Sequence, residues 1–328
     1  MTFPLYRRPG AIIFLDDDLD YLEMLADVMP ADWYVRLMLR PIAFIDTLLI
    51  ETEALELDKW NQQEIINRWR NGTALIPQIL AYWQRDSSVR FSLARLCVVD
   101  YSMPAMSGLK ALSEVTLWPG SRILLTGRAD EQLAVSAFNS GLIQKFIPKQ
   151  SPDIRMRLTE AIEKLLQKPD ERLDQTWRGT LSREQGSLLV NSTIAAGLGN
   201  LAAAQRWVEY VVIGEPFGIL SLDDRAQVSW LQLESPSRLE ELAEIAESQA
   251  WNTQAVQDVR SGKKLIDFEL QLALGSNQKP RLRDALVIGS GPLQLYAAVF
   301  DVGTEFCPKP IDSFQNFIAS HSLRPVQH

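Results

Sequence analysis

The sequence has few of the side chains that most often hold transition metals or act as nucleophiles. Its 328 residues include two cysteines, Cys97 and Cys307, and two histidines, His321 and His328. Two cysteines exclude a disulfide scaffold and a four-cysteine zinc site. Both histidines fall in the last eight residues, so none is left for a Ser-His-Asp triad or a histidine-rich metal site inside a core. Long apolar runs are also missing. No stretch approaches the ~18 apolar residues of a membrane-spanning helix. Ala11 to Leu15 is too short for a signal-peptide core and runs straight into acids. A cytoplasmic protein with no membrane association is expected. Positive charge is in deficit, with 33 Lys plus Arg against 41 Asp plus Glu and a formal charge of −8. That balance argues against a protein that coats nucleic acid. What remains is an ordinary globular composition, 46% hydrophobic and 23% charged, at about twice the length of an average domain.

The first 150 residues alternate short apolar runs with amphipathic stretches. Ala11 to Leu15 suits a buried parallel strand, because five residues are too few for a helix. Tyr34 to Leu39, Leu96 to Val99, Arg122 to Leu125 and Gln144 to Ile147 read as four more strands. Helical patterns at Asp20 to Met29, Leu109 to Thr116, Glu131 to Ser140 and Ile154 to Leu166 separate or follow them. This alternation predicts an α/β fold, a doubly wound five-stranded parallel sheet in the order 2-1-3-4-5. About fifty residues between Pro41 and Leu93 exceed a short connection. Their apolar residues recur at helical spacing, so a helical insertion is expected at about 50–92. Trp60, Trp69 and Trp83 within it read either as core residues or as a partner surface.

Residues 169–205 read as a helical linker or as the start of a second core, with Ser182 and Gln185 spaced as a capping box. An α+β domain is expected over 206–306. Phe217 to Leu222 and Gln227 to Leu233 read as strands, and Ser237 to Ser248 and Asn252 to Arg260 as helices. Leu265 to Leu272, Leu286 to Ile288 and Leu293 to Phe300 read as three more strands, with a hairpin turn at Gly289 to Pro292. Residues 307–328 are left as a tail. The order of two strands, helices and three strands is similar to that of PAS-type modules.

Chemistry gathers at the strand ends of the first half. Asp16, Asp17 and Asp18 follow the first strand, Asp100 follows the third, Thr126 ends the fourth and Lys149 follows the fifth. In the order 2-1-3-4-5 these groups converge at the carboxyl edge beside the topological switch point, where such sheets place ligands. Two carboxylates ~5 Å apart repel by roughly 3 kcal/mol at an effective dielectric of ~20. Such a cluster wants a hard cation, and an all-oxygen donor set suits Mg²⁺. Asp100 beside that ion has the makings of an aspartyl nucleophile, with Lys149 and Thr126 placed to hold phosphoryl oxygens.

These residues resemble the receiver domain of two-component response regulators. The resemblance rests on Ile12-Ile13-Phe14-Leu15-Asp16-Asp17-Asp18, Val98-Val99-Asp100-Tyr101-Ser102-Met103-Pro104 with Gly108, Leu124-Leu125-Thr126-Gly127, and Phe146-Ile147-Pro148-Lys149. It covers residues 10 to about 166, with the receiver domain bounded at 1–168. It implies that Asp100 is the phosphoacceptor and that Asp16, Asp17, Asp100 and the Ser102 carbonyl hold Mg²⁺. Thr126, Lys149 and Phe146 are then the phosphoryl-binding and switch residues. It also implies a sensor histidine kinase or phosphotransfer protein as partner. Three departures stand out, one of them the small Gly127 after Thr126, which is expected to leave the phosphoryl site open. Asp17 and Asp100 are 83 residues apart, about twice the family's usual spacing, and Gln150 follows Lys149 where the family usually has proline.

The second half shows no P-loop, no cyclase motif and no basic recognition helix. Residues 151–328 hold 18 Lys plus Arg and 23 Asp plus Glu, a charge of −5. The expected output is contact with a downstream protein or a homodimer, with no enzyme activity beyond Mg²⁺-dependent self-phosphorylation and dephosphorylation. The alternatives are a DNA-binding transcriptional regulator with an unfamiliar output domain and a receiver-regulated enzyme. A salt-dependent DNA shift separates the first of these.

Overall fold

The computed structural model describes residues 2–85, 87–127, 131–321 and 326–327. The chain forms two compact units. One consists of Pro9–Trp60, Ser88–Lys168 and Gln315–His328, the other of Met1–Arg8, Asn61–Ser87 and Pro169–Phe314.

The first unit is built on a parallel sheet. Its strand order is Val326–Gln327, Val35–Met38, Ala11–Leu15, Ala94–Asp100, Ser121–Thr126 and Lys145–Pro148. Every neighbouring pair is parallel. The expected 2-1-3-4-5 order is present, and a sixth strand from the far C-terminus extends it. The strands are apolar runs because both faces are covered. Ile12 and Phe14 pack on one side with Leu22, Leu25, Leu158 and Ile162. Ile13 and Leu15 pack on the other with Phe44, Leu48, Leu112 and Ala134. Apolar residues at i, i+3 and i+4 give helix Leu19–Asp27 the buried edge Leu22, Leu25 and Ala26. Helix Ile154–Leu166 buries Leu158, Ala161, Ile162 and Leu165 in the same way.

The second unit is an antiparallel sheet with helices. Its order is Tyr6–Arg7, Trp207–Gly214, Phe217–Asp223, Val228–Glu234, Leu295–Asp301 and Leu286–Ile288. The α+β expectation holds, and Leu286–Ile288 pairs antiparallel with Leu295–Asp301 across the expected turn. Three strands precede the helices Leu239–Ser248 and Thr253–Arg260, where two were expected. The resemblance to PAS-type modules rested on the shorter order. Leu265 to Leu272 also differs. Only Lys264–Ile266 is a strand, pairing with Leu282–Asp284, and Phe268–Ala273 is a helix. Buried Asp267 explains the switch, because its carboxylate accepts from the Gln271 amide one helical turn on (2.9 Å) and pairs with Arg281 (2.7 Å).

The domain boundaries read from the sequence are redrawn in three places. Residues 169–205 are no linker. Helices Glu171–Arg178, Arg183–Leu189 and Ser192–Ala204 place Leu173, Trp177, Leu188, Ile194 and Leu198 in the core of the antiparallel unit. The stretch at about 50–92 is not an insertion confined to the parallel unit. Pro41–Arg70 is one helix, and Asn61–Ser87, including helix Leu75–Trp83, counts with the antiparallel unit. There Trp83 is fully buried, Trp69 packs against the core, and the Trp177 indole donates to Gln62 (2.7 Å). Trp60, by contrast, is 59% exposed. Residues 307–328 are no loose tail, since they include helix Phe314–Ser320 and the sixth strand of the parallel sheet. At the other terminus Tyr6–Arg7 pairs with Trp207–Gly214, and buried Asp174 accepts from the Leu5 and Tyr6 amides (3.0 and 3.3 Å). Of the cysteines, Cys97 is buried, which pushes its thiol up to about 12.

Candidate functional site

The site lies at the carboxyl ends of the parallel strands. Ala11–Leu15 and Ala94–Asp100 are neighbours in register, Leu15 beside Val99, so the residues that follow them meet at one edge. Asp16 is 1% exposed and Asp100 is also buried, while Asp17 is exposed. One carboxylate oxygen from each of Asp16, Asp17 and Asp100 lies within 4.8 Å of the others. The third acid of the run goes elsewhere. Asp18 caps helix Leu19–Asp27 by accepting from the Tyr21 amide (3.1 Å). The acid run is thus divided by geometry into two cluster members and one helix cap.

Lys149 arrives from the other side, after strand Lys145–Pro148. Its ammonium donates to Asp16 Oδ2 at 2.6 Å and pairs with Asp100 Oδ1 at 2.8 Å. The remaining oxygens of the two acids are held by backbone. Asp16 Oδ1 accepts from the Asp18 amide and Asp100 Oδ2 from the Ser102 amide, each at 3.1 Å. Burial raises the Asp16 carboxyl above the usual range, although the hydrogen bond from Lys149 opposes it. For Lys149 burial works downward, but the bonds to Asp100 and Asp16 outweigh it and hold the ammonium charged. One ammonium against three carboxylates leaves the cluster net negative.

The other expected residues stand close by with different contacts. Thr126 is buried at the end of its strand, and its carbonyl accepts from the Lys149 amide (2.9 Å). Ser102 is placed by its amide on Asp100. Phe146 sits one strand over, and its ring meets Phe138 edge to face at 6.4 Å. The structure therefore joins Asp16, Asp17, Asp100, Ser102 and Lys149 directly and sets Thr126 and Phe146 on the adjoining strands. The cluster's donor set suits a hard divalent cation, being oxygen-only, with exposed Asp17 and no histidine or cysteine.

Two further residues shape the site. Tyr21, missed in the sequence, places its ring 4.6 Å below the Lys149 ammonium. Its one signal was its position in the first helical turn after the acids. Gly108 belonged to the motif, and its role is steric. A Cβ there would lie 2.0 Å from the Asp100 carbonyl oxygen and 2.8 Å from Val99 Cγ1, and its amide donates to Tyr101 (2.9 Å). Gly108→Ala is expected to cost about 2 kcal/mol through this overpacking against backbone. The urea unfolding midpoint reads the loss, and an unchanged midpoint would count against the steric role.

The antiparallel unit carries a separate open cavity of about 990 Å³, with Trp69, Phe217, Glu234, Arg238 and Glu269 in its wall. Glu234 is 4% exposed and accepts from the Gln232 amide (2.8 Å). Arg238 is engaged by Glu241 and Glu269. Burial pushes the Glu234 carboxyl up to about 7.

A parallel sheet in this order, with acids at the switch point and a lysine across them, is the arrangement that the sequence resemblance to receiver domains implies. Among solved structures, the response regulator LqsR of Legionella pneumophila is similar over 97% of both chains, with a TM-score of 0.70 and 22% identity. The chain thus has the fold of a response regulator over nearly its whole length. A response regulator receiver domain protein from Clostridium thermocellum covers 48% of this chain and 94% of its own, at 18% identity and a TM-score of 0.30. A CheY-like receiver domain protein from Methanospirillum hungatei covers 51% and 98%, at 19% identity and a TM-score of 0.30. No family profile and no curated protein matches the chain. Among the described residues no single helix is long and apolar enough to cross a membrane.

Proposed function

We propose that the chain is a response regulator that takes a phosphoryl group on Asp100 in a Mg²⁺-dependent reaction. The observation that carries this reading is the ammonium of Lys149 held at 2.6 and 2.8 Å from Asp16 and Asp100, with Asp17 in the same cluster. Asp16, Asp17, Asp100 and the Ser102 carbonyl are the groups that would hold Mg²⁺. The ion would neutralise the cluster and the charge on the incoming phosphoryl oxygens. Asp100 attacks phosphorus through a carboxylate oxygen. The bond that breaks joins phosphorus to the donor's leaving atom, a histidine nitrogen of a sensor kinase or phosphotransfer protein. Lys149 exchanges its contact with Asp100 for one with a phosphoryl oxygen, and the Thr126 hydroxyl supplies a second donor. With Phe146 as its aromatic partner, that shift is the switch.

The proposed output is protein contact, with a downstream partner or a second copy, in the cytoplasm and without enzyme chemistry beyond self-phosphorylation and dephosphorylation. Moving a two-state equilibrium from 1:99 to 99:1 takes ~5.5 kcal/mol, a plausible size for charge-assisted bonds and metal contacts together. The test is calorimetric binding of beryllofluoride with Mg²⁺. Wild type is expected to saturate at one site and Asp100→Asn to give no heat. Equal binding by both proteins would overturn the assignment.

A further inference from the structure

We propose that Tyr21 is a working part of the phosphoryl site, its ring seating Lys149 and its hydroxyl donating to the phosphoryl group on Asp100. The inference rests on the phosphorylation of Asp100 proposed above.

The ring is the first observation. It lies 4.6 Å from the Lys149 ammonium, the geometry of a cation–π contact. Tyr21 is fixed by its own backbone, because its amide is the donor to the Asp18 helix cap. The ammonium is therefore held from three directions, by Asp16, Asp100 and the aromatic face. Lys149 has a flexible four-carbon stem, and a π face restricts it without offering a competing acceptor.

The hydroxyl is the second, independent observation. It is buried and has no hydrogen-bond partner among the described residues. A buried donor left unpaired costs free energy, so its retention calls for a reason. Asp16 and Asp100 are close enough for their charges to act on it. Both acids have their oxygens occupied by Lys149 and by backbone amides. A phosphoryl group on Asp100 brings new anionic oxygens into this surrounding, and beside the Thr126 hydroxyl the Tyr21 hydroxyl is a further donor, unused among the described residues. It donates a hydrogen bond to one of them and keeps its proton. The covalent step is unchanged, with the bond from Asp100 to phosphorus forming and that to the leaving atom breaking.

The proposal separates from a merely structural role by the sign of two effects. Tyr21→Phe keeps the ring and removes only the orphan hydroxyl. The unliganded protein is then expected to melt no lower than wild type. Beryllofluoride with Mg²⁺ is expected to bind about 10- to 100-fold more weakly, the span of a lost hydrogen bond to a charged group. Tyr21→Leu loses the ring as well and is expected to bind more weakly still. Dephosphorylation of each variant is expected to quicken in the same order. Wild-type binding with a Tyr21→Phe affinity inside twofold of it would overturn the role of the hydroxyl. A Tyr21→Leu variant no weaker than Tyr21→Phe would overturn the role of the ring. No beryllofluoride binding by wild type would instead overturn the phosphorylation reading, and this inference with it.

Discussion

Lys149→Met is expected to lower the stability of the parallel-sheet unit by about 2–3 kcal/mol at neutral pH. Removing one partner of a buried ion pair costs 3–5 kcal/mol in well-buried cases, because the remaining charge is left uncompensated. The side chain of Lys149 is 25% exposed, so solvent screens part of the effect and the lower figure applies. The methionine keeps the length and apolar contact of the stem, which isolates the loss of charge. Asp16 and Asp100 are each nearly closed to water and would face each other and Asp17 without a counter-charge. Three features of the result are specific. The deficit should shrink on acidification, because the Asp16 carboxyl is already raised by burial and takes a proton more readily once the ammonium is gone. It should be flat across the neutral range, since a raised lysine contributes fully until pH climbs past its own titration. Added Mg²⁺ should restore more midpoint to the variant than to wild type. Urea melts at several pH values with and without Mg²⁺ measure all three, and a variant as stable as wild type throughout would contradict the electrostatic account.

The second large effect is expected to run the other way. Glu234→Gln should stabilise the protein at pH 8 by up to about 3 kcal/mol, from a carboxyl moved from 4.5 to about 7 at ~1.36 kcal/mol per unit. For an acid whose folded value is raised, the charged form is disfavoured by the fold. Its cost is absent below the unfolded value near 4.5 and complete above about 7. Glutamine keeps an acceptor for the Gln232 amide, which now bonds the carboxylate at 2.8 Å. The gain should therefore fade between pH 7 and 5. Guanidinium melts of the two proteins at pH 8 and pH 5 test it, and an equal difference at both pH values would show that ionisation of Glu234 is not the cause.

The parallel unit was largely legible in the sequence because each buried strand is an apolar run with a polar residue at its carboxyl end. Ala11–Leu15 and Ile154–Leu166 are found where the periodicity put them. The acids were legible as a site for the same reason, since strand ends in this order share an edge. Several features were hidden because their cause is distant in the chain. Trp207–Gly214 contains Glu209, a charge that breaks the apolar pattern, and its burial depends on the Tyr6 hydroxyl 203 residues away (3.2 Å). Val326–Gln327 becomes a strand through its parallel pairing with Leu37 and Met38. Helix Pro41–Arg70 buries Phe44, Leu48 and Leu55 in one core and Ile65 and Ile66 in another, so a single periodic stripe does not run its length. Tyr21 was hidden because an aromatic residue in a first helical turn reads as packing until its lysine is seen above it.

The proposed function stands on Asp100 accepting a phosphoryl group. Its most direct test is the intact mass of the full chain after incubation with acetyl phosphate and Mg²⁺, beside Asp100→Asn. One acid-stable, base-labile phosphoryl group is expected on wild type with Mg²⁺, and none on the variant or on wild type in chelator. Unlabelled wild type, or the same label on Asp100→Asn, would contradict it.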